Sequence, residues 1–299
     1  MHGRIFSGTF LMEDNGTNNY RGVIDDLALT YGLRAHFVEK TGRGKNSQVY
    51  HVITEDNHPF IIKYYFRNSS DMRDRLRVEF SSLQFLWQNG VRCIPEPVMT
   101  DDASGSAVYS YIEGSRPFVD DISEEDIAYA VDFLSTLKEL RNASGSESLA
   151  PASEACFSYQ ELLDNIDHRH RKLLEGTNGV EHGPFHEFID KDFVSARAEI
   201  DEWCRERFSE TSISPECLPV KERTLSPSDF GFHNSLRTGS GELFFLDFEY
   251  FGWDDPVKTI SDFILHPAML LTGVQKKSFY NKMLDRFGGY RDLKERVEI

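Results

Sequence analysis

The feature that most restricts this chain lies late in it. Ser226-Pro227-Ser228-Asp229-Phe230-Gly231-Phe232-His233-Asn234 is dense in turn-forming and polar residues, and after it the apolar run Leu243-Phe244-Phe245-Leu246 ends in Asp247-Phe248-Glu249. Asn234 comes five residues after Asp229, and Asp247 thirteen after Asn234. Strand alternation places Leu243, Phe245 and Asp247 on one face, so a carboxylate ends an apolar stripe. Such a group must be hydrogen-bonded or held on a metal.

An aspartate that takes a hydroxyl proton, followed by an asparagine and a second aspartate on Mg²⁺, is the arrangement that phosphoryl transfer uses. An Asx-rich turn ahead of a hairpin would place the same residue types together, so the two readings are separated by the first half of the chain. Lys63 sits in the middle of Phe60-Ile61-Ile62-Lys63-Tyr64-Tyr65-Phe66, a strongly β-prone run with apolar neighbours on both faces. A lysine there is costly unless its ammonium meets an anion. In the helix expected over residues 71–89 and stopped by Gly90, Glu79 shares a face with Leu76 and Leu83 and points inward. An inward Lys on a strand and an inward Glu on the next helix form the ion pair that holds nucleotide phosphates. Without that partnership, Lys63 would snorkel from an edge strand. The turn Gly42-Arg43-Gly44-Lys45-Asn46-Ser47 could lay backbone N–H groups over phosphates, with Gly42, Gly44 and Ser47 the candidates. It is not a Walker loop, because Asn46 follows Gly44-Lys45 and no helix opens there.

The pattern divides the chain. Strands are expected over 36–40, 48–53, 60–66, 97–100 and 107–112, with a short helix over 23–31. After the linker Glu113-Gly114-Ser115-Arg116-Pro117 the character becomes helical: from Ser123 towards Arg141, then 159–174 and 185–208. Three parts follow from this: an N-terminal extension over 1–35, a small nucleotide-binding lobe over 36–114, and a helical lobe over 115–299 carrying the catalytic and metal-binding loops. The expected fold is α+β and bilobal, a small antiparallel β-sheet lobe beside a larger, mainly helical one.

Composition narrows the partners. With 49 acidic and 33 basic residues the formal net charge is −16, against general nucleic-acid binding and against docking on an anionic membrane. Cys93, Cys156, Cys204 and Cys217 form no CxxC pair, which favours a reducing, cytoplasmic setting. No segment offers the roughly 20 apolar residues of a membrane helix. The histidines His168, His170, His182 and His186 lack a third metal ligand at a convincing spacing.

Taken together, these residues resemble the aminoglycoside phosphotransferase and choline kinase family, which has the protein-kinase-like fold. The resemblance runs from about His36 to Phe263: glycine turn, Lys63, Glu79, a hinge strand ending Tyr111-Ile112-Glu113-Gly114, then Asp229, Asn234 and Asp247. Residues 246–256 look especially like that family's metal-binding strand and the loop after it. The resemblance implies an ATP- or GTP-dependent transfer to a hydroxyl of a small molecule. Asp229 would be catalytic, Asn234 and Asp247 would hold Mg²⁺, and Lys63, oriented by Glu79, would bind the phosphates. Three departures stand out. Pro227-Ser228 replace the family's His-Gly before the catalytic aspartate, Thr259 replaces an acid, and only a short tail follows Asp262.

A catalytically impaired pseudokinase, binding a nucleotide or a partner, is the alternative. A protein kinase is disfavoured, because Glu249 follows Asp247-Phe248 where glycine would stand and no Ala-Pro-Glu closes an activation segment. For the acceptor, the net charge and the acids Glu249, Asp254 and Asp255 favour a cation such as an amino sugar or amino alcohol over a neutral sugar. The aromatic residues Phe248, Tyr250, Phe251 and Trp253 serve either as a wall facing that cation or as core.

Overall fold

The computed structural model describes residues 20–41, 46–66, 73–176, 183–211 and 213–298. Its first half is a five-stranded antiparallel sheet, in the order β1 (Ala35–Thr41), β2 (Ser47–Thr54), β3 (Pro59–Tyr65), β5 (Ser106–Ser110), β4 (Pro97–Asp101). β2 and β3 turn at Asp56-Asn57, where Asn57 takes a left-handed φ of 64° that asparagine tolerates better than most residues. Lys63 lies between Val49 of β2 and Ala107 of β5, on a central strand rather than an edge.

One face of the sheet carries a small core of Leu27, Val38, Tyr50, Val52, Ile62 and Val108. Leu27 belongs to α1 (Tyr20–Tyr31), which is tied down by Tyr64 Oη donating to Asp26 (2.6 Å) and Tyr31 Oη donating to the Ser106 carbonyl (2.9 Å). The helix expected over 23–31 therefore packs on the sheet, with Leu27 in this small core. The other face meets α2 (Arg75–Gln88), whose start is set by Asp74 capping the Arg77 amide.

That second face runs into the main core, where Leu76, Leu83 and Leu86 of α2 join Phe230, Phe245 and Phe248 from the second half. There α3 (Glu124–Leu140) opens with a Ser123/Asp126 capping box. It is followed by α4 (Tyr159–Gly176), α5 (Pro184–Glu187), a π-helical turn over Phe188–Phe193 and α6 (Val194–Glu210). The short pairs β6 (Thr224–Ser226) with β9 (Gly252–Asp254) and β7 (Ser235–Arg237) with β8 (Leu243–Phe245) frame the polar loops. The tail after Asp262 is fully used. α7 (Pro256–Leu265), α8 (Gly273–Arg286) and α9 (Leu293–Val297) pack into the core, with Phe263 of α7 stacked on Phe279 of α8 at 3.8 Å. The fold is α+β with a small antiparallel sheet lobe and a mainly helical lobe, as the sequence pattern requires.

The linker between lobes is held against β7. Ser115 and Arg237 exchange backbone hydrogen bonds, and a Cβ on Gly114 would lie 2.7 Å from the Arg237 carbonyl oxygen. Only glycine allows that approach. Arg237 in turn places its two terminal guanidinium nitrogens on Asp126 at 2.9 and 3.0 Å, fixing β7 to the start of α3.

Candidate active site

Two polar clusters adjoin the end of the β7–β8 pair. The first surrounds Lys63. Its Nζ donates to Glu79 Oε2 at 2.6 Å and to Asp247 Oδ1 at 2.8 Å, with Glu249 Oε2 at 3.7 Å. Burial alone would lower the ammonium pKa, but Glu79, Asp247 and Glu249 hold it above the ordinary lysine value. Glu79 also accepts from Tyr65 Oη (2.7 Å), and Tyr65 meets Tyr109 hydroxyl to hydroxyl (2.8 Å). Its pKa is raised by burial, against the pull of Lys63.

Asp247 follows the end of β8 rather than continuing it, so strand alternation does not aim its side chain. A left-handed φ of 65° does. Its side chain is 41% exposed, against 6% for Glu79 and 3% for Glu249. The three carboxylates offer ligand atoms within 4.8 Å of one another. The Lys63 ammonium already engages Glu79 and Glu249, so the open member, Asp247, is the one that would take a hard cation such as Mg²⁺.

The second cluster surrounds Asp229. Ser228, standing where the resembled family has glycine, takes a left-handed φ of 66°, and its amide is held by Ser226 Oγ at 3.1 Å. Asn234 Nδ2 donates to the Asp229 carbonyl (3.1 Å) and to its Oδ2 (3.3 Å). The Leu246 amide donates to the Asn234 carbonyl (2.8 Å), so Asn234 and Asp247 leave the same end of the β7–β8 pair.

His233 Nε2 and His266 Nε2 both lie on Asp229 Oδ1, at 3.0 and 3.2 Å, with the two rings stacked at 4.0 Å. The Ala268 amide donates to His266 Nδ1 (3.2 Å). Nε2 therefore carries the proton and donates to Asp229 while the ring is neutral. That tautomer argues against a metal ion at this trio. Led by the His233 hydrogen bond, these donors hold the Asp229 carboxyl below the usual aspartate value, and burial together with His233 lowers His266. Oδ1 is thus spent on imidazoles, while among the described residues Oδ2 has only the longer Asn234 contact.

His266 was not singled out by sequence reasoning, although a signal exists. Pro267 disfavours helical geometry at the residue before it, so α7 ends and His266 turns out with ψ of 120°. Gly231 admits the segment, since a Cβ there would lie 2.2 Å from Met269 Sδ.

Glu249 and Asp254, expected beside the acceptor, are spent internally instead. Glu249 is 2% exposed and faces Arg75 Nε (3.4 Å), Asn46 Nδ2 (2.7 Å) and Lys63. Asp254 is fully buried, 3.6 Å from Lys258, with its pKa raised to about 6 by burial. Asp255 caps α7 and pairs with Arg296. Of the four aromatic residues, Phe248 and Phe251 are core, and Trp253 donates to the Ser146 carbonyl. Tyr250 reaches the cavity at Asp229, but Arg73 already lies over its ring at 5.1 Å. Ser47 is buried at the start of β2; Gly42 and Gly44 lie outside the described residues. No described helix is long and apolar enough to cross a membrane.

No family model and no curated protein matches this sequence. Solved structures do match in fold. A spectinomycin phosphotransferase, solved with ADP and spectinomycin, is 15% identical and covers 93% of this chain and 85% of its own, with a TM-score of 0.61. A choline kinase of Streptococcus pneumoniae is 15% identical over 93% of this chain and 87% of its own, with a TM-score of 0.56. An ethanolamine kinase of Plasmodium vivax is 14% identical over 94% and 77%, with a TM-score of 0.59. These structures agree with the expected protein-kinase-like fold.

Proposed function

We propose that this chain, which shares the fold of small-molecule kinases, transfers the γ-phosphoryl group of ATP or GTP to a hydroxyl of a small molecule. The observation that carries the reading is the Lys63 ammonium, bridged at once to Glu79 of the small lobe and Asp247 of the large lobe. A buried lysine shared between lobes, beside an Asp–Asn loop, is suited to grip phosphates where a hydroxyl can be presented to them.

Asp229 would position the acceptor hydroxyl and take its proton at Oδ2, the oxygen the imidazoles leave open. The acceptor oxygen forms its bond to γ-phosphorus as the bond from that phosphorus to the β–γ bridging oxygen breaks, and the nucleoside diphosphate departs. Asn234 and Asp247 would hold Mg²⁺, which supplies positive charge to the phosphates. Lys63, oriented by Glu79, neutralises a phosphate oxygen, and Ser47 with Gly42 and Gly44 would line the phosphate side. The nucleotide's base would sit beside the hinge, where Tyr111–Gly114 border a cavity of about 510 Å³ with Thr238–Ser240. Glu249, faced by Arg75, acts as a buried support of Lys63 rather than as an acceptor contact.

The test is nucleotide consumption with ATP or GTP and Mg²⁺, with and without a metabolite extract. Mass spectrometry then looks for a phosphorylated product that Asp229→Asn fails to make. Binding of nucleotide without any product would instead favour the pseudokinase.

A further inference from the structure

A cavity of about 510 Å³ opens at Asp229, and a second of about 620 Å³ lies against it. Both are bordered by Leu162 and Ile166 of α4 and by Lys258, Asp262 and Leu265 of α7. The larger one is walled mainly by apolar side chains, among them Phe157, Ile200, Phe208 and Ile213. Its size falls in the ordinary range for a bound small molecule. The shared rim sets the Lys258–Asp262 ion pair beside Leu162 and Leu265, which are 42% and 72% exposed and so form an apolar stretch not locked into the core.

Apart from Asp229 itself, the charges lining its cavity are already matched. Glu154 takes Arg73 at 3.1 Å and Arg169 at 2.6 Å, and Lys258 lies between Asp262 and Asp254. Away from Asp229, a cationic ligand would compete with protein cations instead of meeting bare carboxylates, and an exchange of one ion pair for another gains little. The favourable free energy left unclaimed on this side of the molecule is apolar burial.

We infer that the acceptor is amphipathic: a hydroxyl-bearing head at Asp229 and an apolar body that crosses the Leu162–Leu265 rim into the larger cavity. This rests on the reading of the Asp229 cavity as the acceptor site. Selectivity then comes from the length and bulk of the apolar body, and net charge on the head matters little.

Methyl, butyl and octyl β-D-glucoside, the last below its micelle concentration, share one neutral head and differ only in tail. Calorimetry on the Asp229→Asn protein reads binding separately from transfer. The expected result is an affinity at least tenfold higher for octyl than for methyl glucoside. Ala196→Trp, at an exposed position lining only the larger cavity, and Ile200→Asp, on its apolar wall, should each erase that tail dependence. Circular dichroism checks that both variants stay folded. A flat affinity across the series, no binding by any member, or tail dependence that survives both variants overturns the inference. Tail-dependent binding combined with no phosphorylation of any glucoside by the unsubstituted protein would support the apolar site while counting against the phosphotransfer reading.

Discussion

His266 Nε2 lies 3.2 Å from Asp229 Oδ1, although the two residues are thirty-seven apart in sequence and on different elements. With His233 on the same oxygen, the carboxylate receives two imidazole donors, and its rotation is fixed. The loop lacks the histidine that the resembled family places two residues before its aspartate. Here the end of α7 supplies one from outside the loop.

Removing that donor should separate chemistry from nucleotide binding. His266→Leu is expected to lower kcat about 10- to 100-fold through misplacement of the base. KM for the nucleotide should hardly change, because His266 touches neither Lys63 nor Asp247. Each donor stabilises the ionised carboxylate, so its loss raises the Asp229 pKa, and the acid limb of kcat/KM should move to higher pH. His266→Gln, which keeps an N–H donor, should recover part of the rate. Equal kcat in the wild type and His266→Leu would remove the positioning role.

The two aspartates should fail differently. Asp229→Asn is expected to cost about 10²–10⁴-fold in kcat, as loss of a general base does, with Mg-nucleotide affinity nearly intact. Asp247→Ala should weaken Mg-dependent nucleotide binding by about tenfold or more, since it removes the open carboxylate of the cluster. Calorimetry with and without Mg²⁺ distinguishes them, and unchanged affinity in Asp247→Ala would contradict the metal assignment.

Lys258 is the cation for two acids, one of them fully buried. Lys258→Met should therefore destabilise the fold by about 3–5 kcal/mol at neutral pH, as breaking a buried pair does. Asp254 has a folded pKa of about 6, above the unfolded value near 3.9. The folded state thus holds an extra proton between those values, and the contribution of this group to stability falls as pH rises through 6. The variant should lose more stability relative to wild type at pH 8 than at pH 5. Urea denaturation at both pH values gives the comparison, and a pH-independent difference would rule out Asp254 as the cause.

Gly231 is required by proximity rather than by its backbone angle. A methyl group there would meet Met269, which is 2% exposed, and His233 Nδ1 at 2.9 Å. Gly231→Ala is expected to cost about 1–3 kcal/mol from overpacking and to lower kcat as well, because Met269 and His266 sit on the same short segment. A stability loss measured by denaturation with full activity would show that the segment shifts without disturbing Asp229.

Much of the small lobe could be read from residue order. A lysine between isoleucine and tyrosine in a β-prone run has one inexpensive environment, and the helical period of Leu76, Glu79 and Leu83 turns the glutamate towards it. The order Asp229, Asn234, Asp247 likewise follows from a turn and a short hairpin, whose geometry is local. By contrast, nothing local says that a buried arginine of α2 would take up Glu249 or that α4, α6 and α7 would leave an apolar cavity beside Asp229, whereas Lys258 stands four residues from both Asp254 and Asp262. Glu249 and Asp255, after β8, look free for a cation in sequence because their partners, Arg75 and Arg296, lie elsewhere in the chain. Which charges are matched, and which apolar faces stay uncovered, is decided by packing between distant segments. A sequence fixes such pairings only through the whole fold. The same holds for the second imidazole on Asp229: Pro267 determines that the chain must leave the helix at His266, and only the tertiary structure decides what the ring meets there.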